Sequence, residues 1–133
     1  MARKDETQIQ IKLAEYIAKN YPDVEFHSDY GSGARLRPYQ AKEQSEMNAG
    51  RRAWPDVFIA QPVMYDEVQP CYGLFIELKR EGTKIFTKKG TLVADEHIRE
   101  QYHKLLSLRK RGYKAEFACG LEEAKLLVDD YLA

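Results

Sequence analysis

Two short acidic motifs set the problem. Pro55-Asp56 opens the apolar run Val57-Phe58-Ile59, and Glu77-Leu78-Lys79 closes the run Leu74-Phe75-Ile76. In an extended strand, residues two apart share a face, so Glu77 and Lys79 point one way while Leu74, Ile76 and Leu78 point the other. A carboxylate and an ammonium are then held side by side at a strand end. On adjacent strands, Asp56 and Glu77 supply two hard oxygen donors about one strand apart, a set suited to Mg²⁺ or Mn²⁺ with waters completing the octahedron. A lysine beside them can orient or deprotonate one of those waters, and the chemistry that this arrangement suits is phosphodiester hydrolysis.

The chain contains a second copy of each motif, and geometry separates the copies. Glu123-Ala124-Lys125 lies in an amphipathic segment of helical period, where residues two apart diverge by about 200°, so its two charges cannot serve one ion. Pro22-Asp23 follows a helical segment in a turn context and reads as a helix stop. Two further polar residues lie on apolar stripes. Glu6 precedes Ile9 and Leu13 on the inward face of the first helix, and Gln101 lies between Ile98 and Leu105 on the inward face of a later one. A first-turn acid favoured by the helix dipole and a tolerated boundary residue are the plain alternatives for these two. Their convergence with the two motifs on one sheet end favours a site.

The elements that must position these residues follow from periodicity. From Glu6, the residues Ile9, Leu13, Tyr16 and Ile17 recur at helical spacing, with Asp5 and Gln8 placed for a capping-box-like start and an end expected before Tyr21-Pro22. Residues 24–28 alternate as a half-buried strand. The polar stretch 34–53 is either a long functional connection or one that hides a short helix near 40–47. Residues 54–60 and 72–79 read as strands of one sheet, separated by a loop bounded by Pro62 and Pro70. Residues 85–93, interrupted by Lys88-Lys89-Gly90, suit a hairpin. Ile98, Tyr102, Leu105 and Leu108 form the stripe of the clearest helix, which has Arg109-Lys110-Arg111 in its last turn and Gly112 as its cap. A strand over 113–119 and a helix over 121–132 complete the order α-β-β-β-α-β-α. A mixed sheet flanked by helices is the natural packing of that order.

With Glu6, Pro55-Asp56, Glu77-Leu78-Lys79 and Gln101 in place, the chain resembles the PD-(D/E)XK nuclease superfamily and, within it, the virus-type replication-repair nuclease (VRR-NUC) family. The runs GLFIELKREGT, HIREQYHKLLSLRKRGY and FACGLEEAKLLVDDYL carry the likeness. The resemblance implies an α/β fold with an αβββαβ core, and metal binding by Asp56 and Glu77 with the Leu78 carbonyl and Glu6 as further ligands. It also implies Lys79 as the catalytic lysine and Gln101 as a support in the active site. One departure is visible: family members often carry glycine close before the P-D motif, whereas Ala53-Trp54 stand here and Gly50 lies further back. The activity implied is that of a Mg²⁺- or Mn²⁺-dependent DNA endonuclease acting on branched DNA such as a four-way (Holliday) junction in replication, recombination or repair. Two alternatives are a non-catalytic nucleic-acid-binding module on the same scaffold and a restriction-type sequence-specific nuclease.

Composition bounds the rest. At 133 residues the chain suits one domain, and 21 basic against 21 acidic side chains exclude a polycation that coats nucleic acid by bulk charge. Charge is nonetheless polarised along the chain: residues 79–89 carry five cations against one acid, 99–114 six against one, and 116–133 one against five. Candidate phosphate contacts are Arg51 and Arg52, just upstream of Asp56, with Arg35, Arg37, Arg80, Lys84, Lys88 and Lys89. His27, His97 and His103 share no ligand spacing, so no zinc site is expected, and His97 reads as a surface residue. Trp54 reads as a core aromatic at a strand entry, with base stacking as its alternative. Cys71 and Cys119 are expected as free thiols, Cys119 the more buried. The hydrophilic start MARKDETQ and the lack of a long apolar run point to a cytoplasmic protein of a bacterial or phage-infected cell, without membrane insertion. A small domain with one site suggests a homodimer on branched DNA, with Ile85, Phe86, Leu92, Val93 and Met64-Tyr65 as candidate interface residues.

Overall fold

A computed structural model describes residues 2–29, 37–64 and 68–133. The elements run α1 (Ala2–Asn20), β1 (Phe26–Ser28), α2 (Pro38–Met47), β2 (Val57–Ile59), β3 (Val63–Met64), β4 (Pro70–Cys71), β5 (Leu74–Lys79), α3 (Glu96–Lys110), β6 (Lys114–Cys119) and α4 (Leu121–Leu132). The expected α-β-β-β-α-β-α order is present, with α2 and a two-stranded β3–β4 ribbon inserted in its connections. Helix α1 starts four residues before Glu6, so Asp5 lies within the helix and the capping-box-like start is not used. Nothing in Ala-Arg-Lys opposes extension toward the N-terminus. Among the described residues, no helix is long and apolar enough to cross a membrane.

The main sheet has the order β1-β2-β5-β6, antiparallel except for the parallel β5–β6 pair that α3 connects. The register pairs Val57 with Ile76, which sets Asp56 opposite Glu77 one step further along the two strands. β5 is buried along nearly its whole length because both its faces are covered. One face is aliphatic: Leu74, Ile76 and Leu78 pack with Val57 and Ile59 against Leu13 and Ile17 of α1 and Ala124, Val128 and Tyr131 of α4. The other is aromatic: Phe75 packs with Leu105, Leu108 and Ala115, bordered by Phe58, Tyr113 and Phe117. Phe58 and Phe75 are stacked with centroids 4.4 Å apart.

Residues 85–93 form the expected narrow hairpin, with Phe86 bridged to Leu92 and Val93 N–H donating to the Ile85 carbonyl at 3.0 Å. Its apolar residues serve this chain first. Ile85 is buried and Phe86 meets Tyr102 edge-on at 5.8 Å, so Ile85 is withdrawn from the surface suggested for a second copy. Met64 remains exposed. Tyr65 and Arg35 lie outside the described residues.

Candidate metal centre and its surroundings

Asp56 and Glu77 meet at the C-terminal end of β5. Asp56 Oδ2 accepts the Leu78 N–H at 2.9 Å, and the Asp56 and Glu77 carboxyls are hydrogen-bonded to each other. The backbone fixes Asp56 from the other side, since its carbonyl accepts the Asp29 N–H at 3.1 Å from the end of β1. Burial pushes the acidity of both groups toward the protonated form. Asp56 lies above the ordinary carboxylate range, chiefly through desolvation, and Glu77 lies well above it through desolvation and the neighbouring Asp56 charge. Two carboxylates held this close cannot both ionise cheaply. The buried Glu77 Oε1 has no hydrogen-bond partner among the described residues.

Lys79 and Glu6 act on this pair with opposite signs. The Lys79 charge lowers both carboxyls and the Glu6 charge raises both, which places each within electrostatic reach of Asp56 and Glu77. Lys79 shares the Phe75 and Glu77 face, as strand alternation requires. Its backbone is held by the Gly120 N–H, which donates to the Lys79 carbonyl at 2.8 Å. Gly120 has φ +96°, and a Cβ there would press on Glu81 at 3.2 Å, so glycine is needed where α4 begins beside Lys79. Glu6 approaches from α1 on the aliphatic side of the sheet.

Gln101 is 2% exposed, which confirms its inward placement. Because α3 returns from the end of β5 to the start of β6, Gln101 sits one turn nearer the carboxylates than Leu105. His97 is exposed, as its surface reading expects, and its Nε2 also lies 3.2 Å from Gln101 Nε2, so the two side chains are coupled across one helical turn. Asp95 was missed by sequence reasoning. It caps α3 by accepting the Ile98 N–H at 3.1 Å, and its carboxyl is lowered by that bond and by the charges of His97 and Lys79. An Asp just before an apolar helical stripe was the available signal.

The cations divide into two groups. Arg52 is engaged by Glu100 at 2.7 Å, so its expected phosphate contact competes with an acid of its own chain. Arg37 starts α2, where its N–H donates to Gln40 Oε1 at 3.1 Å. Arg51, Arg80, Lys84, Lys88 and Lys89 are exposed, and none is in an ion pair among the described residues. Trp54 overturns its core reading: it is 41% exposed, lying against Phe75 at 5.9 Å with Lys104 Nζ 4.7 Å from its ring centroid. The β2 strand begins only at Val57, so Trp54 belongs to the approach loop and not to the sheet.

Among the described residues, no group of three or more His, Cys, Asp and Glu side chains is gathered closely enough to hold a metal ion by itself. A two-carboxylate set still fits a hard cation such as Mg²⁺, which is commonly held by one or two carboxylates with substrate oxygens and water. The mutual contact of two acids and the unpartnered Glu77 Oε1 are the features that such a cation would relieve.

No family model matches the chain, and no curated protein matches it. A solved structure described as a "VRR_NUC domain protein" is similar over 96% of this chain and 88% of its own, with a TM-score of 0.65 and 19% sequence identity. That likeness shows a shared fold: a mixed α/β arrangement with a central sheet and flanking helices.

Proposed function

We propose that the chain is a Mg²⁺- or Mn²⁺-dependent DNA endonuclease that hydrolyses phosphodiester bonds. The observation that carries this reading is the buried pairing of Asp56 with Glu77 at a strand end, with Lys79 on the same face. Folding alone gives no reason to bury two like acids against each other, because each opposes the ionisation of its neighbour. Asp56 and Glu77 would hold the ion, with the Leu78 carbonyl and Glu6 as supplementary oxygens. When bound, the ion supplies Lewis-acid stabilisation of the charge that develops on phosphate oxygens.

The protein's own groups do the remaining work. Lys79 presents three N–H donors with which to orient an attacking water and to offset phosphate charge. Gln101, fixed by burial and by His97, supports the carboxylates from α3, and Asp95 holds the start of that helix while balancing Lys79. In-line attack with the 3′-oxygen leaving gives 5′-phosphate and 3′-hydroxyl ends. Arg51, Arg80, Lys84, Lys88 and Lys89 contact phosphates beyond the reacting one.

Branched DNA is the substrate class, and a homodimer is the acting form, since one small domain has little surface with which to hold two duplex arms. A non-catalytic nucleic-acid-binding module is the second reading, favoured by the lack of a third protein ligand among the described residues. Purified protein on labelled linear, nicked, flapped and four-way DNA, with and without Mg²⁺ or Mn²⁺, separates the two. Metal-dependent cleavage that Asp56→Asn abolishes supports the enzyme, whereas tight binding without cleavage on every substrate supports the module. Light scattering at micromolar concentration tests the dimer, which a strictly monomeric mass would refute.

A further inference from the structure

We propose that Trp54 is a stacking platform for an unpaired nucleobase, with Arg51, Lys104 and Arg111 holding the phosphates that flank it. The inference rests on the nucleic-acid reading above and adds what part of the substrate this face takes. Trp54 leaves 41% of its surface in solvent while its ring rests against Phe75, tilted by 51° with centroids 5.9 Å apart. Lys104 Nζ lies over the ring, 4.7 Å from its centroid, a cation–π contact that a base stacking there would replace, freeing the ammonium for a flanking phosphate.

The surrounding charges are arranged for an anion. Arg52 has Glu100 as a partner and Arg109 has Glu116, but Arg51, Lys104 and Arg111 are in no ion pair among the described residues. Their mutual repulsion is felt, since burial and the charges of Arg51 and Arg111 push the Lys104 ammonium toward its neutral form. Arg111 ends α3, where the helix dipole favours a cation. That account does not extend to Lys104, two turns earlier, or to Arg51 in the approach loop. Beyond Lys104, an open groove of about 650 Å³ continues along α3, lined by His103, Leu106, Ser107, Arg109, Lys110 and Arg111.

The approach loop is shaped to present the ring. Ala53 is 5% exposed yet adopts φ +65°, and Ala49 adopts φ +52°, left-handed conformations unusual for residues other than glycine. The buried Ala53 anchors the loop while Trp54 turns outward. Trp54 is two residues before Asp56, and its support Phe75 is two residues before Glu77. Phe75 and Glu77 share one face of β5 roughly 7 Å apart, so the ring that rests on Phe75 stands within reach of a nucleotide adjoining the phosphate to be cut. An exposed aromatic face requires a base that is out of its duplex stack, so single-stranded or splayed DNA is the ligand.

Trp54 is the chain's single tryptophan, so its fluorescence reports on this face alone. The full chain in EDTA, which prevents cleavage, is titrated with a 15-nucleotide oligothymidine and with a blunt duplex of the same length. Tryptophan emission and the anisotropy of end-labelled DNA are read in parallel. The expected result is quenching by the single strand that saturates together with anisotropy, and little quenching by the duplex. Trp54→Leu should weaken single-strand binding about tenfold while changing duplex binding less than twofold. Lys104→Gln and Arg111→Gln should each lower the slope of log K against log salt by about 0.7. Thermal unfolding confirms that each variant is folded. Anisotropy without quenching, or unchanged single-strand affinity in Trp54→Leu, overturns the stacking role and leaves the nucleic-acid reading standing. No binding of either DNA overturns both.

Discussion

Asp129 and the Asp56–Glu77 pair are acids engaged by hydrogen bonds in the same small molecule, and their surroundings treat them in opposite ways. Asp129, on α4, accepts from Tyr16 Oη at 2.6 and 2.8 Å and from Tyr21 Oη at 2.6 Å, so that α1 and its following turn are tied to the last helix. Those donors hold its carboxyl below the ordinary range, and in return Tyr21 is pushed up to about 12 by the Asp129 hydrogen bond and by burial. Asp56 and Glu77 are raised instead, because desolvation outweighs the help that they receive from the Leu78 N–H and Lys79. An acid furnished with neutral donors contributes to folding. A pair of acids buried against each other is a cost in the free protein that a bound cation would offset.

The largest effect that separates the two is on cleavage. Glu77→Gln and Asp56→Asn should each lower the cleavage rate by about 10²–10³-fold, the usual penalty for removing one electrostatic contact to a transition state. Asp129→Asn should leave it within about twofold. Comparable losses in all three variants would break the contrast. Lys79→Met should match the first two in rate, and Glu6→Gln should cause a smaller but measurable loss if Glu6 contributes an oxygen.

Metal and pH sharpen the contrast in stability. In the metal-free protein the raised Glu77 contributes stability below the ordinary carboxylate range, and that stability is lost as pH rises through its folded value. Asp129, being lowered, contributes stability above the ordinary range that is lost as pH falls through its depressed value. Glu77→Gln in EDTA should therefore melt above wild type at pH 8 and show no such gain at pH 4. Mg²⁺ or Mn²⁺ should raise the wild-type Tm at pH 8, with about 2.7 kcal/mol expected at a hundredfold excess over Kd, and should not raise it in Glu77→Gln. A Tm that ignores both pH and metal at this site would show that the pair is merely structural.

Smaller effects test the Asp129 side. Tyr21→Phe should cost about 1 kcal/mol by denaturant unfolding at pH 7, the low end for a bond to a charged group because the site is open to solvent, and should not touch cleavage. The smallest effect concerns thiols. Cys119 pairs in register with Lys79, and burial and Glu123 push its thiol up while Lys79 draws it down. Both cysteines are half-buried and free. Thiol labelling should find Cys119 severalfold slower than Cys71, and Lys79→Met should slow Cys119 further.

Strong periodicity made most of the fold legible. The helix over 121–132 was placed to the residue, and the stripes of α1 and α3 and the strands around Val57 and Ile76 were recovered with shifted ends. The inserts were harder. Helix α2 buries none of its residues, so no apolar stripe marks it, and the β3–β4 ribbon is two residues per strand with Pro70 in one of them. In the site, Asp56, Glu77, Lys79 and Gln101 were visible because their types interrupt apolar patterns. Asp95 and the link from His97 to Gln101 were not, because each depends on where α3 begins. Trp54 was misread because an aromatic beside a strand is ordinarily buried, and only the left-handed turn at Ala53 sends it outward.

Local pattern determined which segments become strands and helices, and strand alternation by itself put Glu77 and Lys79 on one face and Leu74, Ile76 and Leu78 on the other. Those outcomes depend on interactions among residues close in the chain. Tertiary structure alone decided that Val57 pairs with Ile76, which brings Asp56 against Glu77 across 20 intervening positions that carry no mark of register. It also decided that Glu6 approaches from one side of the sheet and Gln101 from the other, and that Arg52 is engaged by Glu100 while Arg51 is left exposed. Register and desolvation arise only when distant segments pack together. The altered acidity of Asp56 and Glu77, on which the proposed chemistry depends, is accordingly a property of the folded chain and not of either motif.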